Sequence, residues 1–363
     1  MPDAGLARDA SSARRDAAAS DAASDARGDG GDLDGGRASE RERVFGVTLT
    51  DPWALDSAEG DLVIERLRGL TAPSRVGPES WPTVRVVFDE GVDEVRRSGG
   101  ATARDYIGPL ERLVGTAQVM GELLDSFFVA DYSADELRQR ACEYRAELGH
   151  LVDLWEVGNE INGEWLGDDA PRKLATAAAV FLASPSEFAA LCPGRSVRDD
   201  ERPFRVAMTL YGNGTYDGGR SSATNCWSDP DHAMLRWAQT QFGPGGALEA
   251  SGAALDYVWV SYYEDDCDGI QPDWPGVFAE LGRLFPGARL GFGECGSERR
   301  ARKEPLLRRY YEGMTLPDPE LANMHIPEPN FVGGMFWWYF SDDLHDDALY
   351  SRFVQARRNA FWR

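Results

Sequence analysis

From residue 44 onward, the chain alternates short apolar runs with longer amphipathic stretches. Short apolar runs bounded by turn residues predict buried strands, and apolar positions repeated every three to four residues predict helices. The eight apolar runs lie at residues 44–50, 83–88, 117–123, 154–158, 204–210, 257–262, 289–293 and 332–339. The helix candidates lie at residues 58–70, 103–113, 134–148, 171–191, 230–241, 275–284, 304–312 and 350–363. Alternation of this kind is typical of parallel strands connected by helices.

Eight strand and helix pairs are the inventory of a TIM barrel, so we predict an α/β fold with one (β/α)8-barrel domain over residues 44–363. A doubly wound open sheet has the same alternation, but it needs a phosphate-binding glycine loop after an early strand. The sequence Gly212-Asn213-Gly214 lacks the rest of that fingerprint and comes late in the chain. Residues 1–43 are rich in Asp, Ala and Ser and have almost no large apolar side chain, which predicts a disordered tether.

The net charge of −23 at pH 7 is spread along the chain, because residues 1–43 contain 7 basic and 10 acidic residues and the remainder still carries −20. A surface of this sign repels nucleic acid and anionic membranes, so we expect neither as a partner. No apolar stretch has the length of a signal peptide or a membrane span. Taken literally, that indicates a cytoplasmic protein, whereas the tether and the cysteines favour secretion or tethering at the cell surface. Both localisations stay open, as does the oligomeric state.

The sequence contains five cysteines, at positions 142, 192, 226, 267 and 295, so at least one thiol is free. Cys142 falls in an amphipathic helical pattern and is interpreted as a core residue. Cys226 and Cys267 both follow predicted strands, and a disulfide between them is compatible with an oxidising compartment. No paired Cys-x-x-Cys spacing is present, and the four histidines form no strand-end cluster, so we expect no metal site.

Two predicted strands end in a glutamate. The fourth apolar run leads into Asn159-Glu160, and the seventh leads into Glu294. A carboxylate at the end of a buried strand is costly unless it is hydrogen-bonded or used. Strand ends of a barrel meet at one face, where its active sites lie. Two carboxyl groups about 5 Å apart are what retaining glycoside hydrolysis requires, so we interpret Glu160 and Glu294 as such a pair.

Other acidic residues compete for these roles. Glu156 lies four residues deeper in the fourth run, and Glu164 lies beyond the turn signal Asn162-Gly163, so both are weaker candidates for the acid. The third run ends in Glu122 and Asp125, which could line the pocket or cap the next helix, and the sequence leaves both interpretations open.

Three further residues on the predicted strands have side chains suited to such a site. Arg85 is a charge inside an otherwise apolar run, and we favour a position beside the nucleophile over a salt bridge that only fills the barrel. Period-two alternation places Trp259, Ser261 and Tyr263 on one face, where a phenol can orient a carboxylate. The eighth run ends in two adjacent tryptophans at positions 337 and 338, of which one can pack in the core and the other can face the pocket.

Taken together, these residues resemble the retaining (β/α)8-barrel glycoside hydrolases of clan A. In that clan the fourth strand ends in Asn-Glu and the seventh in Glu. The resemblance implies that Glu160 is the acid/base, that Asn159 contacts the sugar 2-hydroxyl and that Glu294 is the nucleophile. It further implies substrate-binding roles for residues on strands two, six and eight, here Arg85, Tyr263 and Trp338. The sixth strand reads Ser261-x-Tyr263 instead of the His-x-Tyr or Asn-x-Tyr of the clan, so only the tyrosine is carried over.

The resemblance therefore implies a glycosidase that cleaves O-glycosidic bonds of an oligosaccharide or polysaccharide by double displacement, without a cofactor. A serine hydrolase would need a Gly-x-Ser-x-Gly motif, which is absent. The alternative is a barrel that binds a carbohydrate without cleaving it. The sequence does not identify the sugar, the linkage or the family within the clan.

Overall fold

A computed structural model describes residues 43–72, 77–88, 101–212, 215–217, 220–221, 230–267 and 269–361 of the chain. Except for Arg43, the predicted tether at residues 1–43 lies outside the described residues. Eight parallel strands form a closed barrel, in which each strand pairs with the barrel strands before and after it in the chain and the last pairs with the first. The predicted TIM barrel is therefore confirmed.

The barrel strands agree with the eight apolar runs to within two residues at every end. They are β1 Val44–Leu49, β2 Thr83–Val87, β3 Gln118–Glu122, β4 Leu154–Glu156, β5 Arg205–Tyr211, β6 Tyr257–Ser261, β7 Arg289–Glu294 and β8 Phe331–Trp337. Two short strands after β5, Thr215–Asp217 and Arg220–Ser221, pair antiparallel outside the barrel.

Helices pack around the barrel. The α-helices are α1 Gly60–Gly69, α2 Ile107–Glu111, α3 Ala134–Leu148, α4 Ala170–Leu182, α5 Pro185–Leu191, α6 Met234–Phe242, α7 Glu249–Gly252, α8 Trp274–Leu284, α9 Arg300–Leu307, α10 Phe340–Asp343 and α11 Asp347–Phe361. Short 3-10 helices span Pro52–Asp56, Pro78–Ser80, Ala103–Tyr106, Ser126–Asp131, Glu164–Leu166, Pro230–His232 and Pro319–Met324, and a π-helix spans Arg308–Glu312. Among the described residues, no helix is long and apolar enough to cross a membrane.

One predicted helix, at residues 171–191, is divided into α4 and α5. Pro185 is the reason, because its ring disfavours a helical conformation at the residue before it and it has no N–H to continue the helix. Ser184 is the N-cap of α5. Its side chain accepts a hydrogen bond from the backbone N–H of Glu187, and the Glu187 side chain accepts one from the backbone N–H of Ser184.

The strands separate two apolar layers. The inner layer is formed by the apolar side chains of Val44, Met120, Leu154, Ala207, Tyr257, Trp259, Val332 and Phe336. The larger layer lies between the barrel and the helices, and it contains Tyr262, whose ring packs edge-on against Trp274 at 4.9 Å. Trp259 and Tyr262 therefore lie on opposite sides of β6, as the alternation predicts.

Cys142, interpreted from the sequence as a core residue, is also part of a disulfide bond. Its side chain is buried, but it forms a disulfide with Cys192, 50 residues later, and the Cα atoms are 5.6 Å apart. This bond fastens α3 to the end of α5. Cys267 is disulfide-bonded, and its predicted partner Cys226 lies outside the described residues. Cys295 is a buried free thiol.

We predict that the Cys142→Ser/Cys192→Ser double variant loses about 4 kcal/mol of unfolding free energy, because opening a loop of this length enlarges the unfolded ensemble. Urea denaturation without reductant, which keeps the disulfide of Cys267 intact, measures the loss. A loss below about 1 kcal/mol would show that this bond contributes little to the stability of the barrel.

Candidate active site

The candidate residues meet at the carboxyl-terminal end of the barrel. A cavity of about 680 Å³ is lined by Asn159, Glu160, Tyr263, Glu294 and Trp338, together with residues from the loops after β3, β4, β6, β7 and β8. Arg85 does not line this cavity, but its guanidinium group lies directly beneath it, against Glu294. Residues distant in sequence are thus brought together because all eight strands are parallel and end at one face.

Glu294, the last residue of β7, is held by three neighbours. Its Oε1 forms a close ion pair with Arg85 Nη1 at 2.7 Å, and its Oε2 accepts a hydrogen bond from the Tyr263 hydroxyl at 2.8 Å. Its backbone oxygen accepts from the N–H of Tyr262 at 3.0 Å. Burial raises the pKa of Glu294, and Arg85 and the Tyr263 hydroxyl only partly offset this rise by favouring the charged form. The carboxyl group is therefore fixed in position, and Arg85 limits the rise of its pKa.

Arg85 is completely buried and bound by three carboxyl groups. Its Nε lies 2.5 Å from Glu156 Oε2 and its Nη2 lies 3.2 Å from Glu156 Oε1, which makes this pair bidentate. Nη2 also lies 3.2 Å from Glu122 Oε2. Burial acts to lower the pKa of Arg85, but the three carboxyl groups outweigh it and raise this pKa. Arg85 therefore carries its charge in the barrel interior.

The same cluster changes the protonation of Glu122. Burial raises the pKa of Glu122 well above its ordinary value, and Arg85 only partly opposes this effect. Glu122 therefore favours its neutral form more strongly than an exposed carboxyl group does. Glu156 also accepts a hydrogen bond from the Thr209 hydroxyl. Both acids pack around Arg85 beneath the cavity and do not line it.

Glu160 has a different environment. Its Oε1 accepts a hydrogen bond from the Ser261 hydroxyl at 2.6 Å, and its Oε2 accepts one from the Ser126 hydroxyl at 3.3 Å. Burial raises the pKa of Glu160 to about 8, and the charge of Glu294 contributes to this shift. Glu160 therefore holds a proton at neutral pH. Among the described residues, no cation contacts it as Arg85 contacts Glu294.

The backbone at Glu160 is strained, with a φ of +46° in the left-handed region that side chains other than glycine rarely adopt. Hydrogen bonds to β5 hold this conformation on both sides. The N–H of Thr209 donates to Gly158 O at 2.9 Å, and the N–H of Ile161 donates to Thr209 O at 3.0 Å. Strain of this kind costs roughly 1–3 kcal/mol and is concentrated at functional sites.

Asn159 and Trp338 complete the cavity floor. Asn159 is buried, and its Oδ1 has no hydrogen-bond partner among the described residues, so the amide oxygen can accept a hydrogen bond from a ligand. The ring of Trp338 lies 5.4 Å from the guanidinium carbon of Arg85. Trp337 lies in the outer core, where its Nε1 donates to Asp343 Oδ2 at 2.7 Å. Trp338 is thus the indole of this pair that faces the cavity.

Several residues in or near the cavity have positions that the sequence did not determine. Asp125 both lines the cavity and caps the 3-10 helix Ser126–Asp131, so the two interpretations left open both apply. Glu164 is exposed and lies outside the cavity. Sequence reasoning missed the hydrogen bonds from Ser126 and Ser261 to Glu160. The position of Ser261, two residues before Tyr263 on the inward face, was the available signal for its hydrogen bond.

Acidic side chains can also bind metal ions. Within the described ranges, no group of three or more His, Cys, Asp or Glu side chains is arranged to hold a metal ion.

The barrel is similar to solved structures of low sequence identity. Gas2p of Saccharomyces cerevisiae, in complex with laminaritriose and laminaritetraose, shares 12% identity at a TM-score of 0.50, and the similarity covers 88% of this chain and 65% of that one. The AHE enzyme of Alicyclobacillus herbarius shares 15% identity at a TM-score of 0.48, covering 82% of this chain and 88% of that one. No protein-family model and no curated protein sequence matches the chain. The similarity to Gas2p shows the fold alone, and this chain spans less than two thirds of Gas2p.

Removing the buried cation tests the Arg85 cluster. We predict that Arg85→Met lowers the free energy of unfolding by about 3–5 kcal/mol, because Glu156 and Glu294 lose their common counter-charge. Arg85→Lys keeps the positive charge but loses the planar guanidinium group, so its free energy of unfolding lies between those of Arg85→Met and the wild-type protein. Urea denaturation at pH 7 measures the loss. Arg283→Met, which removes an exposed ion pair with Glu280, is the matched control and costs less than about 1 kcal/mol. An equal effect of the two Met variants would contradict this role of Arg85.

The raised pKa of Glu160 predicts a pH-dependent stability. Between the ordinary value of 4.5 and about 8, the folded protein holds a proton that the unfolded chain has lost, so the stability falls as the pH rises through this window. Glu160→Gln removes the titrating group, so the stability advantage of the variant grows with pH by a few kcal/mol. Chemical denaturation from pH 4.5 to 9 measures the trend. Glu164→Gln is the control at an exposed position. The same pH trend in both variants would contradict the raised pKa of Glu160.

Proposed function

We propose that the protein is a retaining glycoside hydrolase that cleaves O-glycosidic bonds of an oligosaccharide or polysaccharide by double displacement. One observation carries the proposal: two buried carboxyl groups line one cavity in unlike environments. Glu294 contacts Arg85 and Tyr263, which favour its carboxylate form. Glu160 contacts hydroxyl groups and keeps its proton, because burial and Glu294 raise its pKa. Opposed protonation of two carboxyl groups is what an acid and a nucleophile require.

In the first step, a carboxylate oxygen of Glu294 attacks the anomeric carbon and forms a glycosyl ester. The bond between this carbon and the leaving oxygen breaks, and the leaving oxygen takes the proton of Glu160. Esterification removes the negative charge of Glu294, so the pKa of Glu160 falls and its carboxylate can act as a base. In the second step, Glu160 deprotonates a water molecule, whose oxygen displaces Glu294 and releases the sugar.

Asn159 and Trp338 bind the substrate in this proposal, whereas Arg85 and Tyr263 act on the nucleophile. The amide oxygen of Asn159, which has no hydrogen-bond partner within the described part of the chain, accepts a hydrogen bond from a sugar hydroxyl next to the anomeric centre. The Trp338 ring offers an apolar face for the pyranose ring that Glu294 attacks. Tyr263 and Arg85 orient the nucleophile. The two carboxyl groups supply both the nucleophile and the proton, so the reaction needs no cofactor.

The charge of the cavity favours some substrates over others. Besides the proposed catalytic pair, the lining contains the acids Asp125, Asp265, Asp266 and Glu298, with Arg299 as its basic residue. Repulsion by these acids disfavours uronic-acid and sulfated glycans. We therefore expect a neutral glycan as the substrate. The first substrates to assay include the laminari-oligosaccharides that Gas2p binds.

The disulfide bonds support export of the protein. Cys142 is bonded to Cys192, and Cys267 is also disulfide-bonded. Disulfides form and persist in oxidising compartments and are rare in the cytosol. We therefore place the protein in the secreted or cell-surface fraction. Fractionation of native cells tests this placement, and recovery from the cytosol alone would refute it.

Activity distinguishes a hydrolase from the alternative, a barrel that binds glycans without cleaving them. The assay is reducing-end release from a panel of plant, microbial and algal polysaccharides and neutral oligosaccharides. A hydrolase releases reducing ends with retained anomeric configuration, which NMR of the first product detects. Retention of a glycan on the protein without any release would support the binding barrel instead.

Azide rescue separates the roles of the two glutamates. We predict that Glu160→Ala and Glu294→Ala each fold but lose at least about a hundredfold in kcat on an aryl glycoside of the identified sugar. With azide and a good leaving group, Glu160→Ala gives a glycosyl azide of retained configuration, because azide attacks the glycosyl enzyme. Glu294→Ala gives the inverted azide, because azide replaces the missing nucleophile. NMR of the azide products measures both, and the reverse pattern would exchange the two roles.

A further inference from the structure

Three aromatic rings form one wall of the cavity. Phe127 is 69% exposed although its side chain is apolar. Its ring stacks on Trp165, with centroids 5.7 Å apart and an interplanar angle of 22°. Trp165 in turn meets Tyr211 edge-on at 5.5 Å and 77°. All three residues line the cavity, and we call them the aromatic wall.

The aromatic wall is held in place before any ligand binds. Phe127 belongs to the 3-10 helix Ser126–Asp131, which begins directly after β3 and its short loop. The side chain of Asp125 caps this helix, since its Oδ1 accepts a hydrogen bond from the backbone N–H of Phe127 at 2.9 Å. The N–H of Phe128 donates to Asp125 O at 3.1 Å. A fixed backbone keeps the exposed ring on the cavity, so little ordering entropy is lost when a ligand packs on it.

Hydrogen bonds place the aromatic wall on the side of Glu160. Trp165 Nε1 donates to Ser126 Oγ at 3.0 Å, and Ser126 Oγ donates to Glu160 Oε2 at 3.3 Å. The wall is thus linked to the proposed acid through a single hydroxyl group. Glu294 has different neighbours, namely Arg85 and Tyr263. The two carboxyl groups therefore have separate surroundings within one cavity.

We propose that the aromatic wall is a binding subsite for the sugar ring of the leaving group. This inference rests on the proposed function, because the leaving oxygen takes its proton from Glu160 and the leaving group must therefore lie beside that residue. The apolar face of a pyranose ring packs on the exposed Phe127 ring, and the Asp125 carboxylate lies at the same wall to accept a hydrogen bond from a sugar hydroxyl. The enzyme therefore prefers bonds between two sugars over bonds from a sugar to a small alcohol.

The test compares two substrates that differ only in the leaving group. One is a neutral oligosaccharide identified by reducing-end release. The other is the glycosyl fluoride of the sugar that this oligosaccharide transfers to Glu294, and its leaving fluoride ion has no ring to pack on the aromatic wall. For Phe127→Ala, we expect the ratio of kcat/KM for the oligosaccharide to kcat/KM for the fluoride to fall about tenfold, because one ring-stacking surface is removed. Phe127→Tyr keeps the aromatic face and restores the ratio.

Val114→Ala is the matched control, because Val114 is another exposed apolar side chain, 52% accessible, and it lies outside the cavity. This variant keeps the wild-type ratio. An unchanged ratio in Phe127→Ala would overturn the subsite, whether both rates fall together or neither falls. Failure of the proposed function has a different result, since the wild-type protein would then turn over neither the oligosaccharides nor the fluorides.

Discussion

The buried charge of Arg85 is the constraint on which the carboxyl-terminal end of the barrel depends. A guanidinium group inside a barrel must be compensated, and here carboxyl groups from β3, β4 and β7 surround it. The strand register provides them, because Glu122 and Glu156 are Cα partners on β3 and β4 and Arg85 pairs with Met120 on β3. The cation thus connects four strands at the level where Glu294 meets the cavity.

The unlike properties of the two glutamates follow from their distance to this cation. Glu294 contacts Arg85, which favours the charged form of its carboxyl group. Glu160 contacts Ser126 and Ser261, whose hydroxyl groups orient it without supplying a positive charge. The neighbours of Glu294 favour a charged carboxyl group, whereas those of Glu160 supply no such cation. The difference between the two glutamates therefore comes from their neighbours and not from the residue type.

The strands were predictable because burial on both sides of a parallel barrel produces continuous apolar runs, and each run ends where a loop begins. Glu160 and Glu294 were predictable for the same reason, since a carboxyl group after such a run is conspicuous. The Cys142–Cys192 disulfide was not predictable, because a helical pattern does not reveal that the end of α5 packs beside α3. The stacking of Phe127 on Trp165 was not predictable either, because it joins loops after different strands.

Several features of this site oppose folding. Glu160 has a left-handed backbone and is buried near a second carboxyl group, and Phe127 exposes an apolar ring to water. A chain selected for stability alone would replace each of them with glycine, an amide or a polar side chain. Their presence together on one cavity is therefore informative, because unrelated defects would be scattered over the molecule. The Cys142–Cys192 bond involves no residue of the cavity lining, so it can stabilise the fold without constraining the chemistry of the site.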